Sequence, residues 1–158
     1  MDNLKNVVIY TDGACLGNPG PGGYGVVMLY DNHRKELSGG YRLTTNNRME
    51  MLAAIVGLRA LKSRCTVTVY SDSKYLVDAI GLGWAQRWRA NGWKRNKKEM
   101  AVNPDLWGEL LDLCAQHDIK FVWVKGHAGN RENERCDELA VCAAKQRELP
   151  IDTGYQGK

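Results

Sequence analysis

Two β-rich runs in this chain end in the same way, and their pairing restricts the fold more than any other feature. The first run is VVIYTD, residues 7–12, and the second is VTVYSD, residues 67–72. Helix-forming residues lie between them, and a connection of that kind joins parallel strands. Side by side, the two strands would bring Asp12 and Asp72 together at their carboxyl ends, the edge at which open α/β sheets bind ligands.

The remaining segments complete an α/β pattern. Strands predicted at 25–30 and 36–43 follow the first strand across short connections, which favours an antiparallel meander. Apolar residues at helical spacing predict helices that begin near residues 45, 73, 84 and 104, and a last helix from about 130 to 149. With a further strand at 119–124, we expect a five-stranded mixed sheet with flanking helices. Three strands are antiparallel in this prediction, and the later strands run parallel to the first.

Composition excludes membrane, secreted and fibrous proteins. The 158 residues include 44% hydrophobic residues and no repeat or linker, which fits one domain spanning 1–158. The longest apolar run, 51–56, is too short to cross a bilayer, and the N-terminus lacks a signal-peptide pattern. Five cysteines without metal-binding spacing indicate reduced thiols. We expect a cytoplasmic monomer with no membrane contact, no obligatory protein partner and a frayed tail at about 150–158.

The net charge of +4 results from a cancellation between two regions of the chain. Residues 81–103, called the basic protrusion below, hold six cations against Glu99 alone, a local +5 that leaves −1 elsewhere. Cations in such a segment neutralise phosphates and give affinity for nucleic acid without reading its sequence. The candidate phosphate-binding cations are Arg87, Arg89, Lys94, Arg95, Lys97 and Lys98.

The five tryptophans divide according to their surroundings. Trp107 and Trp123 lie in periodic apolar segments, so both are expected in the core. In the basic protrusion, Trp88 is expected to pack inward. Trp84 and Trp93 are instead candidates to lie along a nucleic-acid backbone.

Two further carboxylates are candidates to join Asp12 and Asp72. Glu50 lies at the border of the apolar face of the first helix, and Asp137 lies beside the apolar stripe of the last helix. Four converging carboxylates repel one another unless divalent cations neutralise them. Hard oxygen ligands suit Mg²⁺ or Mn²⁺, and two such ions can clamp a phosphodiester for attack by water. Taken singly, each carboxylate could instead be a turn residue, a helix-terminal charge or part of a solvated face.

A candidate for proton transfer stands in the loop between the last strand and the last helix. His127 lies in the segment GHAG, whose glycines favour an exposed position from which an imidazole can reach a substrate. The ordinary pKa of imidazole lies near neutrality, as proton transfer requires.

Six segments occur in order from Tyr10 to Ala140: YTDGACLGNPGPGGYG, TTNNRMEMLAAI, YSDSKY, DLW, WVKGHAG and ENERCDELA. Together they resemble the ribonuclease H family, most closely its bacterial type 1 members. The resemblance implies a ribonuclease H-like fold and an Mg²⁺-dependent endonuclease that hydrolyses the RNA strand of RNA–DNA hybrids, leaving 5′-phosphate and 3′-hydroxyl ends. The family's histidine for proton transfer and product release falls on His127. Its four catalytic carboxylates fall on Asp12, Glu50, Asp72 and Asp137.

The resemblance also implies contacts with the substrate. Asn18, Asn46 and Asn47 match residues that face the minor groove of the hybrid, where 2′-hydroxyl groups distinguish RNA from DNA. Thr45 matches a residue that holds a phosphate of the DNA strand, and Asn103 shares that task. In some members the basic protrusion grips the DNA strand. The asparagines could also serve as turn residues or helix caps, and both roles can coexist.

One position departs from the family's pattern. Many members carry a basic residue two positions before the one that matches Thr45, but this chain has Leu43 there and Arg42 one position earlier. Neighbouring residues of a strand point to opposite faces, so Arg42 is not expected to reach the same phosphate. The DNA strand is then gripped less tightly, or by another residue.

Three other functions stay open. A hybrid-binding module without catalysis would keep the basic protrusion, although binding alone does not need four repelling carboxylates. A DNA-cutting nuclease of the same fold would use the same metal chemistry, but such relatives lack this ordered set of motifs. The glycine-rich loop could suggest nucleotide binding, yet it contains neither G-K-[ST] nor G-x-G-x-x-G.

Overall fold

The computed structural model describes residues 4–126 and 129–155. Within these residues the chain forms five strands and five helices. In chain order they are β1 (Lys5–Cys15), β2 (Gly20–Tyr30), β3 (His33–Thr44), α1 (Asn46–Arg59), β4 (Cys65–Ser71), α2 (Lys74–Gly81), α3 (Trp84–Ala90), α4 (Pro104–Cys114), β5 (Asp118–Trp123) and α5 (Arg131–Ala144).

The strands form one mixed sheet in the order β3-β2-β1-β4-β5. β1 and β2 are antiparallel, as are β2 and β3, whereas β1–β4 and β4–β5 are parallel. The predicted α/β class and its strand directions are therefore confirmed. The two matching runs also lie side by side as predicted, with Tyr10 opposite Tyr70 and Thr11 opposite Ser71.

The first strands are longer than predicted because the glycine-rich loop takes part in the sheet. β2 begins at Gly20 and β1 continues to Cys15. The glycines here leave room for α5, since a Cβ on Gly23 would overlap the carbonyl oxygen of Ala140. The longer β1 extends past its parallel pairing with β4, so Asp12 follows the last parallel pair while still pairing with β2.

Helices cover both faces of the sheet. Val26 of β2 faces α1, where a Cβ on Gly57 would lie 3.2 Å from Val26 Cγ1. Gly25, the preceding residue, faces α5, because a Cβ there would overlap the carbonyl oxygen of Cys136. This alternation is the ordinary geometry of a strand. On the α1 face α4 packs beside α1 and buries Trp107 completely, so the core prediction for Trp107 is confirmed.

The C-terminal segment corrects two predictions. α5 ends at Ala144, not near residue 149. The prediction of a frayed tail from about 150 is wrong for residues 150–155, because this segment is attached to the body of the protein. The backbone N–H of Arg42 donates to the carbonyl of Pro150 at 3.0 Å, and Asp152 is only 7% exposed. Its burial is explained by an ion pair with Arg48.

Trp123 also differs from the prediction, because its side chain is 45% exposed. It ends β5, an edge strand of the sheet, and therefore lacks a neighbour on one side. Among the helices that the structure describes, none is both long enough and apolar enough to span a membrane.

Candidate active site

Three of the four predicted carboxylates meet at one edge of the sheet. Asp12 follows the last parallel pair of β1, Asp72 comes directly after β4, and Glu50 lies in the second turn of α1. One carboxylate oxygen from each lies within 4.8 Å of the others. The edge is the one at which the carboxyl ends of parallel strands meet, as in other open α/β sheets.

Glu50 reaches this edge because α1 lies directly against β1. A Cβ on Gly13 would lie 2.5 Å from the backbone nitrogen of Glu50 and 2.6 Å from the carbonyl carbon of Met49, so only glycine allows the approach. Thr45 sets the start of the helix, since its hydroxyl accepts a hydrogen bond from the backbone N–H of Arg48 at 3.3 Å. This side-chain cap satisfies an N–H group that has no partner within the helix.

Burial and mutual repulsion make this cluster unfavourable as three free anions. Burial is the main cause that raises the pKa of Asp12 to about 8, and the charge of Asp72 acts in the same direction. Burial, together with the charges of Asp12 and Asp72, also raises the pKa of Glu50 well above its ordinary value. Glu50 Oε2 is buried without a hydrogen-bond partner among the described residues. Converging hard oxygens, one of them without a partner, fit a divalent cation such as Mg²⁺.

We expect the metal-free protein to lose stability as the pH rises from about 4 to about 8. In that range folded Asp12 and Glu50 hold protons that the unfolded chain releases, so the free energy of unfolding falls as the pH rises. One proton fully released corresponds to a slope of about 1.4 kcal/mol per pH unit. Urea unfolding in the presence of a chelator, compared between the two ends of this range, measures the slope.

The variant Asp12→Asn is the matched comparison, because it removes one titrating group and keeps the shape of the side chain. Without metal it should be more stable than the wild type near the upper end of the pH range, and the difference should shrink towards acid. Mg²⁺ should stabilise the wild type strongly and the variant much less. Equal pH slopes in the two proteins would contradict the assignment of a raised pKa to Asp12.

Asp137, the fourth predicted carboxylate, does not belong to this group of three. It is half-buried on α5, directly after Cys136. The carbonyl of Cys136 lies against Gly25, which is the residue paired with Asp12 across β1 and β2. The helix that carries Asp137 therefore packs over the strand pair that holds Asp12, on the face of the sheet opposite α1. His127 lies outside the described residues.

The predicted minor-groove residues lie at the start of α1 and in the adjoining loop. Asn18 and Asn47 are exposed and Asn46 is half-buried. The side-chain oxygen of Asn18 accepts a hydrogen bond from the backbone N–H of Asn46 at 3.1 Å, which attaches the loop to the helix. Asn46 and Asn47 share with Glu50 the first two turns of α1.

Asn103 precedes Pro104 and occupies the N-cap position of α4, but its side chain does not cap the helix. Its backbone is left-handed, with φ of 61°, and its side-chain oxygen accepts from Arg48 Nη1 at 2.9 Å. At the departure noted above, Leu43 is 49% exposed. Arg42 Nε donates to the carbonyl of Leu149 at 3.2 Å, so its side chain is held against the C-terminal segment.

The tryptophans of the basic protrusion pack mainly against the protein. Trp88 is buried, as predicted, in an edge-to-face contact with Trp107 at 5.8 Å between ring centroids. Trp84 and Trp93 are half-buried against the core, so only part of each indole is accessible to a ligand.

The cations of the basic protrusion divide into two groups. Arg89 pairs with Asp112, Arg95 pairs with Glu99, and Arg87 Nη1 donates to the carbonyl of Leu82 at 3.2 Å. Lys94, Lys97 and Lys98 are exposed and form no ion pair within the part of the chain that the structure describes. The three lysines are therefore the charges most available to a phosphate backbone.

Two features near the site were not predicted from the sequence. The first is the burial of Arg48 on the inner side of α1. The pattern that could have indicated it is the position of this charged residue one helical turn before Leu52, on the apolar face of the helix. Trp123 Nε1 donates to the backbone carbonyl of Asp72 at 3.1 Å. No local pattern predicts that contact, because it joins residues 51 positions apart.

Comparison with known proteins identifies relatives along the whole chain. The family model described as RNase H matches residues 4–145. A protein named Ribonuclease H from Syntrophus aciditrophicus (strain SB) is 73% identical over 154 residues, covering 98% of this chain and 89% of the relative. Ribonuclease HI from Synechocystis sp. is 57% identical over 152 residues, covering 96% of this chain and 95% of the relative.

Solved structures show the same fold. The crystal structure of LC9-RNase H1, a type 1 RNase H with the type 2 active-site motif, matches with a TM-score of 0.81 and 35% identity, covering 91% of this chain and 74% of that chain. LC11-RNase H1 in complex with RNA/DNA hybrid matches with a TM-score of 0.67 and 26% identity, covering 87% of this chain and 96% of that chain. With its fold, its acidic cluster and these bacterial relatives, the chain belongs to the RNase H family, whose members are hydrolases with nuclease activity.

Proposed function

We propose that the protein is an endonuclease that hydrolyses the RNA strand of RNA–DNA hybrids and leaves 5′-phosphate and 3′-hydroxyl ends. The observation that carries this proposal is the convergence of Asp12, Glu50 and Asp72 beside a polar face of asparagines. Membership of the RNase H family supports the substrate class, and a structural relative has been solved with RNA/DNA hybrid.

The proposed cofactor is Mg²⁺, two ions per active site with substrate bound, and Mn²⁺ is the alternative hard cation. Asp12, Glu50, Asp72 and Asp137 would hold these ions through their carboxylate oxygens. Bound divalent cations supply a water of lowered pKa and stabilise the charge that develops on the phosphate. The donor set supports this choice, because it contains only carboxylate oxygens and includes the buried, unpartnered Glu50 Oε2.

We propose that three asparagines recognise the RNA strand of the hybrid. Asn18, Asn46 and Asn47 offer amide donors and acceptors to 2′-hydroxyl groups, which the shallow minor groove of an A-form-like duplex displays. The hydrogen bond between Asn18 and the start of α1 holds the two parts of this surface together. On the DNA strand, Thr45 and Asn103 would donate to a phosphate, and the basic protrusion would provide further contacts with the backbone.

The reaction itself is the attack of water on a phosphorus of the RNA strand. The new bond joins the water oxygen to phosphorus, the bond from phosphorus to the 3′-oxygen breaks, and the 3′-oxygen takes up a proton. We assign proton transfer or product release to His127. The position of Gly126, the residue before it in the sequence, supports this assignment, because a Cβ on Gly126 would lie 2.8 Å from Asp72 Oδ2.

We also propose that the protein acts as one domain, as a cytoplasmic monomer without an obligatory protein partner. Free cysteines support a reducing compartment, since the five cysteines are unpaired in the structure. A single sheet whose two faces are both covered by helices supports a self-contained fold.

A cleavage assay on three matched duplexes tests the function directly. With Mg²⁺ the protein should cut the RNA strand of an RNA–DNA hybrid and leave RNA–RNA and DNA–DNA duplexes of the same sequence intact. Without Mg²⁺ no duplex should be cut. Mass spectrometry of the fragments should show 5′-phosphate and 3′-hydroxyl ends. Cleavage of DNA would favour a DNA-cutting nuclease, and hybrid binding without cleavage would favour a binding module.

A further inference from the structure

The guanidinium of Arg48 is almost completely enclosed, with 2% of its side chain exposed. Arginine carries five N–H donors in one plane, and each has an acceptor here. Nε and Nη2 donate to the two oxygens of Asp152 at 2.7 and 3.1 Å, and Nη1 and Nη2 donate to those of Asp105 at 3.0 and 2.8 Å. The fifth hydrogen bond runs from Nη1 to Asn103 Oδ1 at 2.9 Å.

These hydrogen bonds join three separate segments of the chain. Arg48 belongs to α1, Asp105 to the first turn of α4, and Asp152 to the C-terminal segment. Asp152 is further held by the hydroxyl of Thr44, which donates to it at 2.6 Å. At Gly154 a Cβ would overlap Asp105 Oδ2 and lie 2.6 Å from Arg48 Nη2, so the C-terminal segment closes tightly over the guanidinium.

The side chain of Arg48 determines which atoms of Asn103 face outward, and the backbone at the start of α1 does the same for Thr45. Because arginine only donates, Asn103 must turn its oxygen towards Arg48, which leaves its amide N–H groups on the other side. The backbone N–H of Arg48 donates to the Thr45 hydroxyl, so that oxygen acts as an acceptor towards the protein and its hydrogen is left for an external acceptor. Both residues are thereby presented as donors.

We propose that Arg48 is a positioning residue whose side chain turns the Asn103 amide outward as a donor, so that this amide and the Thr45 hydroxyl bind one phosphate of the DNA strand. The inference rests on the proposed function, which supplies that phosphate. Arg48 acts by geometry and not by attraction, since its single positive charge is more than balanced by the two carboxylates that bind it. Asp152 and the C-terminal segment keep the guanidinium in place.

The test is a double-mutant cycle between Arg48→Lys and Asn103→Ala, read out as the KM and the Kd for the hybrid. Lysine keeps the positive charge, but its ammonium group has only three N–H donors and cannot replace the five hydrogen bonds of the guanidinium. We expect Arg48→Lys to raise KM and Kd roughly tenfold, the loss expected for one hydrogen bond to a charged group. In the Asn103→Ala background the same substitution should change either constant less than about twofold.

The matched control is Arg59→Lys, which makes the same chemical change on the same helix and affects an ion pair between α1 and Glu109 of α4. It should leave the KM unchanged. Gly154→Ala is the second test variant, because it disturbs the network sterically and keeps every donor and acceptor. It should also raise KM, and this effect should likewise disappear in the Asn103→Ala background.

Additive effects in both cycles would overturn the proposal and leave Arg48 a purely structural residue, as would an unchanged KM in Arg48→Lys. Kd values for the hybrid, measured with a chelator present, test the role of Arg48 in binding independently of cleavage. A wild type that binds the hybrid without cleaving it refutes the proposed activity, while the cycle still decides the role of Arg48. A wild type that does not bind the hybrid overturns both.

Discussion

Replacing Asp12 with asparagine should reduce cleavage of an RNA–DNA hybrid by roughly 10³-fold or more, because a ligand to the metal ions is lost and metal stabilisation of the transition state amounts to several kcal/mol. The side chain keeps its size, and its oxygen can still accept from the backbone N–H of Gly13, a bond of 2.9 Å in the wild type. Hybrid binding should therefore survive. Single-turnover cleavage at saturating enzyme, beside a Kd measurement, separates the two effects.

The matched control for this variant is Asp31→Asn. Asp31 lies in the turn between β2 and β3, with φ of 51°, a left-handed conformation that asparagine tolerates well. The control makes the same chemical change away from the acidic cluster and should cleave like the wild type. Near-normal turnover in Asp12→Asn would defeat the assignment of Asp12 as a metal ligand. Loss of hybrid binding in that variant would instead indicate a role in substrate binding.

Neutralising Lys94, Lys97 and Lys98 together by glutamine should raise the KM for the hybrid by roughly 10- to 100-fold at moderate salt. Each lost phosphate contact removes about 0.9 from the slope of log affinity against log salt, so three contacts predict a clearly flatter salt dependence. The three lysines are chosen because they form no ion pair within residues 4–126 and 129–155. A titration of KM against ionic strength makes the measurement.

A control of equal charge change is available at the end of the sheet where β1 begins. Lys5, Lys35 and Lys62 line a cavity beside the start of β1, and the residues that line it lie outside the basic protrusion. Their replacement by glutamine should change the salt slope much less than replacement of the other three lysines. Adding Arg95→Gln to the first variant should have a small further effect, because Arg95 already pairs with Glu99. Equal salt slopes in the two triple variants would show that the basic protrusion does not grip the substrate.

The fold was predictable from the sequence because its signals are local. Alternating β-rich runs gave the strands, and apolar residues at helical spacing gave the helices. The matching ends of two parallel strands then brought Asp12 and Asp72 to one edge, as the register of β1 and β4 confirms. Strand lengths were less predictable, since glycine-rich stretches such as the start of β2 become strands only through pairing with neighbours.

Other features depended on segments far apart in the chain. From the sequence, Asp152 was expected in a frayed tail. In the structure it pairs with Arg48, 104 positions away. Trp123 resembled a core residue, but the end of an edge strand left it exposed and in contact with the Asp72 backbone. No window of sequence shows which element forms the edge of a sheet or which segment closes over a buried charge.

The sequence by itself determined the fold class, the four candidate carboxylates and the basic protrusion, because periodicity, strand ends and charge density are properties of short segments. Only the tertiary structure decided how deeply the carboxylates are buried and which hydrogen-bond partners the polar side chains have. Burial of Asp12 and Glu50 depends on the close approach of α1 to β1 at Gly13. The direction in which Asn103 presents its amide depends on an arginine of another helix. Desolvation and hydrogen-bond partners come from packing, and packing exists only in the folded chain.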